Sequence, residues 1–577
     1  MASEASFKFY ESLSGMSPLR AIAESAINGR NKGGNIWRPS VREVYELACT
    51  MPNVTVTDLP MDPGTIQTYK LPPDAKVLND NQGRTVGRAA QARRFINRAS
   101  AEERNRWLGH AREGVFRMQR HHPRLLQCDV VVGMHPDLMF KARMLTVEAD
   151  AAGLFNWLMN FTPLEAATEY ADSKVHHVPD ILFIANPCWV PDDPKDPDFQ
   201  KIGCVLVDER HKTIFNFGLW YFGEKKKGTL TMAWTAGRDL GAVAAHAGIK
   251  EVDFSHCPGH AGLGKRIISF YGLSGSGKSS HTNARDNGGT LPQGFKQTIA
   301  HDDAFQIDYN AGRTFVWEPT LFDKTDSREL DDPDWKYCIT TQNQLIIETD
   351  RGLVPYGRDT RNNNGRAIFS RELLGHITNS TGFPHALCWL MKDSCLPPIL
   401  KLAKIDLAVA MGATLMTKRT AAENVPLEEM KKLVFEPFAN PFRVYELYHD
   451  CEGYLAVFQA GAECYCFNSG GMWNSSDADL KKIPLQTSLR LQTALLMKEL
   501  EWEDWTLLPG AQIPTRKSVN AILPGYYEQY DSGEVKNRGE YVETFQDRFR
   551  QRVDYLLDHV EKPDLAQRLA DALVVNI

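Results

Sequence analysis

Residues 266–289 read RIISFYGLSGSGKSSHTNARDNGG. Ile267, Ile268 and Phe270 form an apolar run that predicts a buried strand, and the serines after Lys278 open a helix. The junction, Gly272-Leu-Ser-Gly-Ser-Gly277-Lys278-Ser279, fits the phosphate-binding pattern G-x-x-x-x-G-K-[ST]. A strand that turns through glycines into a helix commits this part of the chain to an α/β fold. The glycines let successive backbone N–H groups converge on phosphate oxygens, Lys278 adds positive charge, and the Ser279 hydroxyl reaches a bound Mg²⁺. Candidate nucleotide contacts are therefore Gly272, Ser274, Gly275, Ser276, Gly277, Lys278, Ser279 and Ser280. The competing reading is a Gly/Ser-rich turn. The pattern implies a nucleoside triphosphate and leaves the reaction open.

A chain of 577 residues exceeds a single core and predicts two or more domains. Residues 1–260 mix helices and short strands, and residues 261–577 form the P-loop half. The net charge of −6 and the absence of a large basic block argue against nucleic acid as the main partner. No apolar run reaches membrane-spanning length, and MASEASFKFYESLSG lacks the layout of a secretory signal. Eleven scattered cysteines fit reduced thiols in a cytoplasmic protein. Cys464 and Cys466 read as alternate strand residues rather than a redox pair. His256, Cys257 and His260 in SHCPGH are one ligand short of a structural zinc site.

Along the chain, Ser100 and Glu103 form a capping box for a helix running to His122. DVVVGM and DILFIAN are expected strands, NPCWVPDDPKDPD a surface loop, and CVLVDERHKTIFNFGLWY a hairpin. HALCWLM and GYLAVFQA are expected as further strands, and EYVETFQDRFRQRVDYLLDHV as an amphipathic helix on the surface of the P-loop half. NARDNGGTLPQGFKQT is expected as a loop.

A P-loop enzyme also needs an acid at a strand end to hold its metal. TIAHDDAFQID offers Asp302 and Asp303, either as that site or as a solvated acidic pair. WYFGEKKKGTLTMAW supplies Tyr221 and a lysine run, with His246 following in AVAAHAG. Adjacent cations on a strand call for an anion or metal site to accept them, the alternative being a solvated lysine patch.

In order and spacing, YFGEKKKG, His246, FYGLSGSGKSS and HDD resemble the ATP-dependent phosphoenolpyruvate carboxykinases, whose motifs read GEMKKG, GLSGTGKTT and GDDEH. RDTRNNNGRA is similar to that family's ENTR segment, SCLPPILKL to VLPPVSKL, MGATLMTKRTAAE to GFTAKVAGTE, and TVGRAA more distantly to TGRSP. The resemblance implies a two-domain α/β carboxykinase-like fold using ATP, Mn²⁺ and Mg²⁺. It implies that Lys227, His246 and Asp303 bind Mn²⁺, with Lys226 helping to keep Lys227 neutral. Ser274, Lys278 and Ser279 would surround the transferred phosphoryl group and its Mg²⁺, with Asp302 on the nucleotide side. Arg88 and Arg361 would clamp the carboxylates of a keto acid, Arg84 competing with Arg88, and Tyr221 would offer its ring edge to carbon dioxide or an enolate.

The chain also departs from the pattern. The acid and histidine after the aspartate pair are here Ala304 and Phe305, and MHCSAN becomes AHAGIKEVDFSHCPGH. The segment between P-loop and aspartates is expanded, and the NTGW-type region is echoed only in CFNSGGMW. The leading expectation is decarboxylation and phosphorylation of oxaloacetate to phosphoenolpyruvate by a cytoplasmic monomer acting on small molecules. A kinase of the same fold with another acceptor, and a nucleotide-binding regulator without turnover, are the alternatives.

Overall fold

The computed structural model describes residues 17–28, 35–83, 89–200, 202–273, 275–361, 364–418, 428 and 432–576. In the N-terminal half an eight-stranded mixed sheet contains Leu125–Val132, Phe140–Val147, Ile181–Asn186, Cys204–Asp208 and Thr213–Phe217. The last two form the expected antiparallel hairpin, Thr213 opposite Asp208. The helix Ala101–His121 starts on Ser100, whose hydroxyl accepts from the Glu103 N–H while the Glu103 carboxylate accepts from the Ser100 N–H. Its buried residues (Trp107, Ala111, Gly114, Val115, Met118) recur at three- and four-residue spacing, so one stripe lies against the sheet.

Helix α1 (Phe222–Asp239), buried in the core of the N-terminal sheet, leads to strands β1 (Ala247–Asp253) and β2 (Lys265–Tyr271) of a second sheet. Helix α2 (Lys278–Asn283) follows the glycine loop, and β3 (Lys296–His301) ends just before Asp302. Strands β4 (Ala386–Met391) and β5 (Glu463–Asn468) continue this eight-stranded sheet, which Ile399–Leu402, Ala511–Pro514 and Trp502–Asp504 extend, and helices α3 (Leu485–Leu496) and α4 (Arg538–His559) follow β5 in the chain. The β2 strand pairs antiparallel with β1 and parallel with β4, which pairs parallel with β5. Parallel neighbours with helices on their faces require near-continuous apolar strands, and every residue of ALCWLM in β4 is buried. The two halves interlock: β1 precedes residue 260 yet belongs to this sheet, and Lys76–Asp80 pairs parallel with Cys338–Gln342.

Two expected strands are helices. The lysine run lies in α1, where successive side chains leave the axis in different directions rather than on two faces. GYLAVFQA belongs to the helix Leu447–Gln459, in which Leu447, Cys451, Tyr454, Leu455 and Phe458 are buried at helical spacing. An eight-residue apolar window is too short to separate strand from buried helix, and the period emerges only over the full element. The expected loop after α2 contains a short helical turn at Asp286–Gly289.

Cys464 and Cys466 sit on β5 two residues apart, and all eleven cysteines are free thiols. Among the described residues the one convergent trio of His, Cys, Asp or Glu ligand atoms is His110, Asp196 and Asp198, so His256, Cys257 and His260 do not gather with a further such side chain. Arg94 and Arg106 pair with Asp198, which accounts for its charge without an ion.

Helix α4 has the expected amphipathic character, with Tyr541, Phe545, Phe549 and Leu556 in the core. Its polar anchor is internal. Arg548 and Arg552 both bind Asp393, the Arg552–Asp393 contact being 3.2 Å with side chains 0% and 1% exposed. Removing the carboxylate leaves Arg552 buried without an acidic partner and Arg548 with only the half-exposed Asp477. Asp393→Ala is expected to lower unfolding stability by about 3–5 kcal/mol, read as a shift in the urea midpoint relative to an exposed control such as Asp571→Ala.

Candidate active site

Helix α1 gives each of a run of four charged residues an ion-pair partner, Lys226 and Lys227 sharing Asp303. Glu224 accepts from Arg93 at 2.9 Å, and Lys225 donates to Asp150 at 3.0 Å. Lys226 lies 3.2 Å from Glu318 and 3.1 Å from Asp303, and Lys227 donates to Asp303 at 2.6 Å. Glu224, Lys225 and Lys226 are fully buried, so the lysines are not a solvated patch. At about 100° per residue a helix can send each neighbour to its own partner, and pairing offsets the desolvation each charge suffers.

Sheet register brings His246 to the same point. It occupies the break between Val243–Ala245 and β1. On one side Ala245 lies opposite Phe305, just after the aspartate pair; on the other Ala247 lies opposite Tyr271, just before the glycine loop. His246 is therefore held between the acidic turn and the P-loop. Its Nδ1 donates to the Ala439 carbonyl at 2.6 Å, and its Nε2 lies 3.1 Å from Asp303 Oδ1. Phe442 packs edge-on to the imidazole and lies 4.8 Å from Lys227 Nζ.

In the loop, a Cβ at Gly272 would come 2.0 Å from Ser276 Oγ, and Gly277 adopts φ +94°, so both positions call for glycine. Lys278 donates to Asp303 Oδ1 at 2.8 Å. Ser279 and Ser280 are exposed at the start of α2, while Ser276 Oγ is buried without a hydrogen-bond partner. Asp302 faces away from Asp303 partners and accepts from Asn283 at 3.2 Å. Ser274 lies outside the described residues.

Burial lowers the Lys227 amine to about 8, the charges of Lys226 and Lys278 adding to the effect while Asp303 opposes it. Burial, then Lys278 and Lys227, lowers His246 to about 4, so its imidazole is neutral at physiological pH. Asp303 is held well below the usual carboxylate range: burial pushes it up, and Lys227, Lys278 and Lys226 outweigh that. A neutral imidazole that donates through Nδ1 turns the Nε2 lone pair toward a carboxylate oxygen. Two acceptors 3.1 Å apart need a cation between them. An amine, an imidazole and a carboxylate are a donor set suited to a first-row transition metal, so these residues fit one.

Toward the other rim, Tyr221 precedes α1 and its ring covers Gly223, where a Cβ would come 2.3 Å from Cε1. A Cβ on Gly83 would lie 2.8 Å from the Tyr221 Cα, so the turn after Asp80 packs directly on Tyr221. Arg361 is anchored by Asp359 Oδ1 and by Asn81 Oδ1 of that turn, each at 3.1 Å. Arg84 and Arg88 lie outside the described residues.

Several supporting residues escaped sequence reading. His301 Nδ1 accepts from the N–H groups of Asp303 and Ala304, each at 3.1 Å, which shapes the acidic turn. Glu318, fully buried, holds Lys226 and accepts from Asn160 at 2.5 Å. A lone acid inside the apolar run TFVWEPTLF was the available signal for Glu318. The Ala439 carbonyl carried none, because backbone groups have no sequence signature.

A glycine-rich loop joining a strand of a mixed sheet to a helix, with a lysine, a histidine and a carboxylate gathered beside it, defines a mixed α/β protein. The family model described as phosphoenolpyruvate carboxykinase matches residues 73–522, and the chain belongs to the ATP-dependent phosphoenolpyruvate carboxykinase family. It is 22% identical over 514 residues to a phosphoenolpyruvate carboxykinase (ATP) of Novosphingobium aromaticivorans, covering 82% of this chain and 88% of that relative. It is 23% identical over 219 residues to a phosphoenolpyruvate carboxykinase (ATP) of Staphylococcus haemolyticus, covering 37% of each.

The lowered basicity of Lys227 is directly measurable. In metal-free protein its Cε resonance, assigned by its loss in Lys227→Met, is expected to titrate near 8, well below the ordinary lysine value of about 10.4. Asp303→Asn, which removes the opposing charge, is expected to move that midpoint lower still.

Proposed function

We propose that the chain catalyses ATP-dependent decarboxylation and phosphorylation of oxaloacetate to phosphoenolpyruvate, releasing ADP and carbon dioxide. The observation that carries this reading is the convergence of Lys227, His246 and Lys278 on Asp303 beside the P-loop, in a chain of this family. In this reading Lys227 Nζ, His246 Nε2 and an Asp303 oxygen hold Mn²⁺, and Ser279 holds the Mg²⁺ that accompanies ATP. When bound, such ions stabilise the negative charge that develops on the keto oxygen and on the phosphoryl oxygens.

The chain's own groups do the rest. Arg361, with Arg88, grips the acceptor's carboxylates, a task suited to the planar fork of arginine. Tyr221 lines the side from which carbon dioxide leaves. Decarboxylation leaves an enolate, whose oxygen attacks the γ-phosphoryl group. Lys278 neutralises charge on that group as it transfers, and Lys226 adds positive potential while Glu318 keeps it in place. Gly272, Ser274, Gly275, Ser276, Gly277 and Ser280 cradle the triphosphate, and Asp302 stands on its nucleotide side. Residues 1–260 supply the acceptor side apart from Arg361, and residues 261–577 the nucleotide side. We place this activity in the cytoplasm, in a monomer; among the described residues no helix is long and apolar enough to cross a membrane.

The test is a coupled assay of phosphoenolpyruvate formed from oxaloacetate and ATP with Mn²⁺ and Mg²⁺. Wild-type protein is expected to turn over. Lys278→Ala is expected to lose roughly 10²–10³-fold in kcat while still binding nucleotide. Arg361→Ala is expected to lose roughly 10–100-fold in kcat/KM for oxaloacetate, with Mg·ATP binding unchanged by calorimetry. A wild-type protein that binds Mg·ATP and Mn²⁺ yet forms no phosphoenolpyruvate overturns the reading.

A further inference from the structure

Lys250 lies on β1, behind the P-loop, with no exposed surface. Among the described residues it forms no ion pair. Its Nζ donates to the His281 carbonyl at 2.6 Å and to Asn287 Oδ1 at 2.7 Å. His281 belongs to the last turn of α2, a helix of six residues whose final carbonyls lack partners within the helix. Asn287 sits in the left-handed region at φ +46°, followed by Gly288 at φ +70°, in the turn that leaves α2.

The contacts continue into α3. Gln492 Nε2 donates to the same Asn287 oxygen at 2.9 Å, and its Oε1 lies 3.2 Å from His281 Nδ1. Asn287 Nδ2 donates to Thr493 Oγ1 at 3.1 Å, and Gln486 Nε2 donates to the Gly288 carbonyl at 3.0 Å. The Phe270 ring of β2 stacks on the His281 imidazole at 5.2 Å. At Gly248 of β1 a Cβ would come 2.0 Å from Thr282 Oγ1, so the Thr282 side chain of the helix packs directly on the strand backbone.

A six-residue helix does not hold itself together in water. Its start carries Lys278 and Ser279, and its end is bound by one buried amine to a strand and to a left-handed turn. A buried lysine without an acid is costly, and a fully satisfied buried polar network specifies geometry in return. We propose that Lys250 is a positioning residue for nucleotide phosphate, fixing the far end of the P-loop helix so that Lys278 and Ser279 stand correctly at its start. The proposal rests on the P-loop reading above. The ammonium and the neutral amine both have enough hydrogens for the two bonds, so the geometry holds in either form.

The test is calorimetric binding of Mg·ATP by the full chain, with Mn²⁺ affinity measured separately by electron paramagnetic resonance without nucleotide. Lys250→Met is expected to weaken Mg·ATP by tenfold or more and to raise KM for ATP more than it lowers kcat. Mn²⁺ affinity is expected to stay within twofold. Asn287→Gly keeps the left-handed backbone and deletes the acceptor; it is expected to weaken Mg·ATP in the same way, and it carries the test if Lys250→Met does not fold. Either variant, folded and binding Mg·ATP with the wild-type Kd, overturns the proposal. Equal losses of Mg·ATP and Mn²⁺ affinity also overturn it, because they indicate general loosening. A wild-type chain that does not bind Mg·ATP removes the P-loop reading and this proposal with it.

Discussion

Three lysine amines and a neutral imidazole face one carboxylate, Asp303. Such a gathering of cations repels itself unless an anion sits at its centre, and a buried anion of this kind is costly unless cations surround it. Each part is therefore stable only in the presence of the others. The carboxylate is kept ionised by Lys227, Lys278 and Lys226 against its own burial. The nitrogens of Lys227 and His246 are pressed toward neutrality, mainly by burial. Charge balance and ligand chemistry here have one cause, the exclusion of water from a site lined by opposite charges.

Contributions from far apart in the chain converge on that point because of register and helical rotation. The strand break at His246 is set by two pairings, one to the strand after Asp303 and one to the strand before the glycine loop. Helix α1 needs no such break, since its rotation distributes Glu224, Lys225, Lys226 and Lys227 among Arg93, Asp150, Glu318 and Asp303. The arrangement ties the N-terminal sheet to the P-loop sheet through buried ion pairs. A substitution in α1 thus acts on structure and chemistry together.

The substituted segments sit around this centre rather than in it. Ala304 and Phe305, in place of an acid and a histidine, are fully buried and continue the apolar packing beneath the acidic turn. His301, on the other side of the pair, supplies the hydrogen-bond acceptor that shapes it. The expanded segment after the P-loop forms the left-handed turn at Asn287 and Gly288 that packs on α3.

Sequence alone determined the glycine turn between strand and helix, the capping-box helix, the hairpin and the identities of Lys227, His246 and Asp303 as candidates. These are legible because local chemistry writes them: glycines where backbone must approach phosphate, Ser100 and Glu103 at a helix start, charged residues in an apolar setting. The state of the lysine run was not legible, since adjacent charges read alike on a strand or a helix until their partners are known. The short run GYLAVFQA failed for a related reason, its helical period extending beyond the window. Only the tertiary structure decided that Glu318 holds Lys226, that the Ala439 carbonyl sets the imidazole tautomer, and that Lys250 binds the end of the P-loop helix. Those contacts join residues 31 to 193 positions apart, and such pairing is a property of packing that no local pattern encodes.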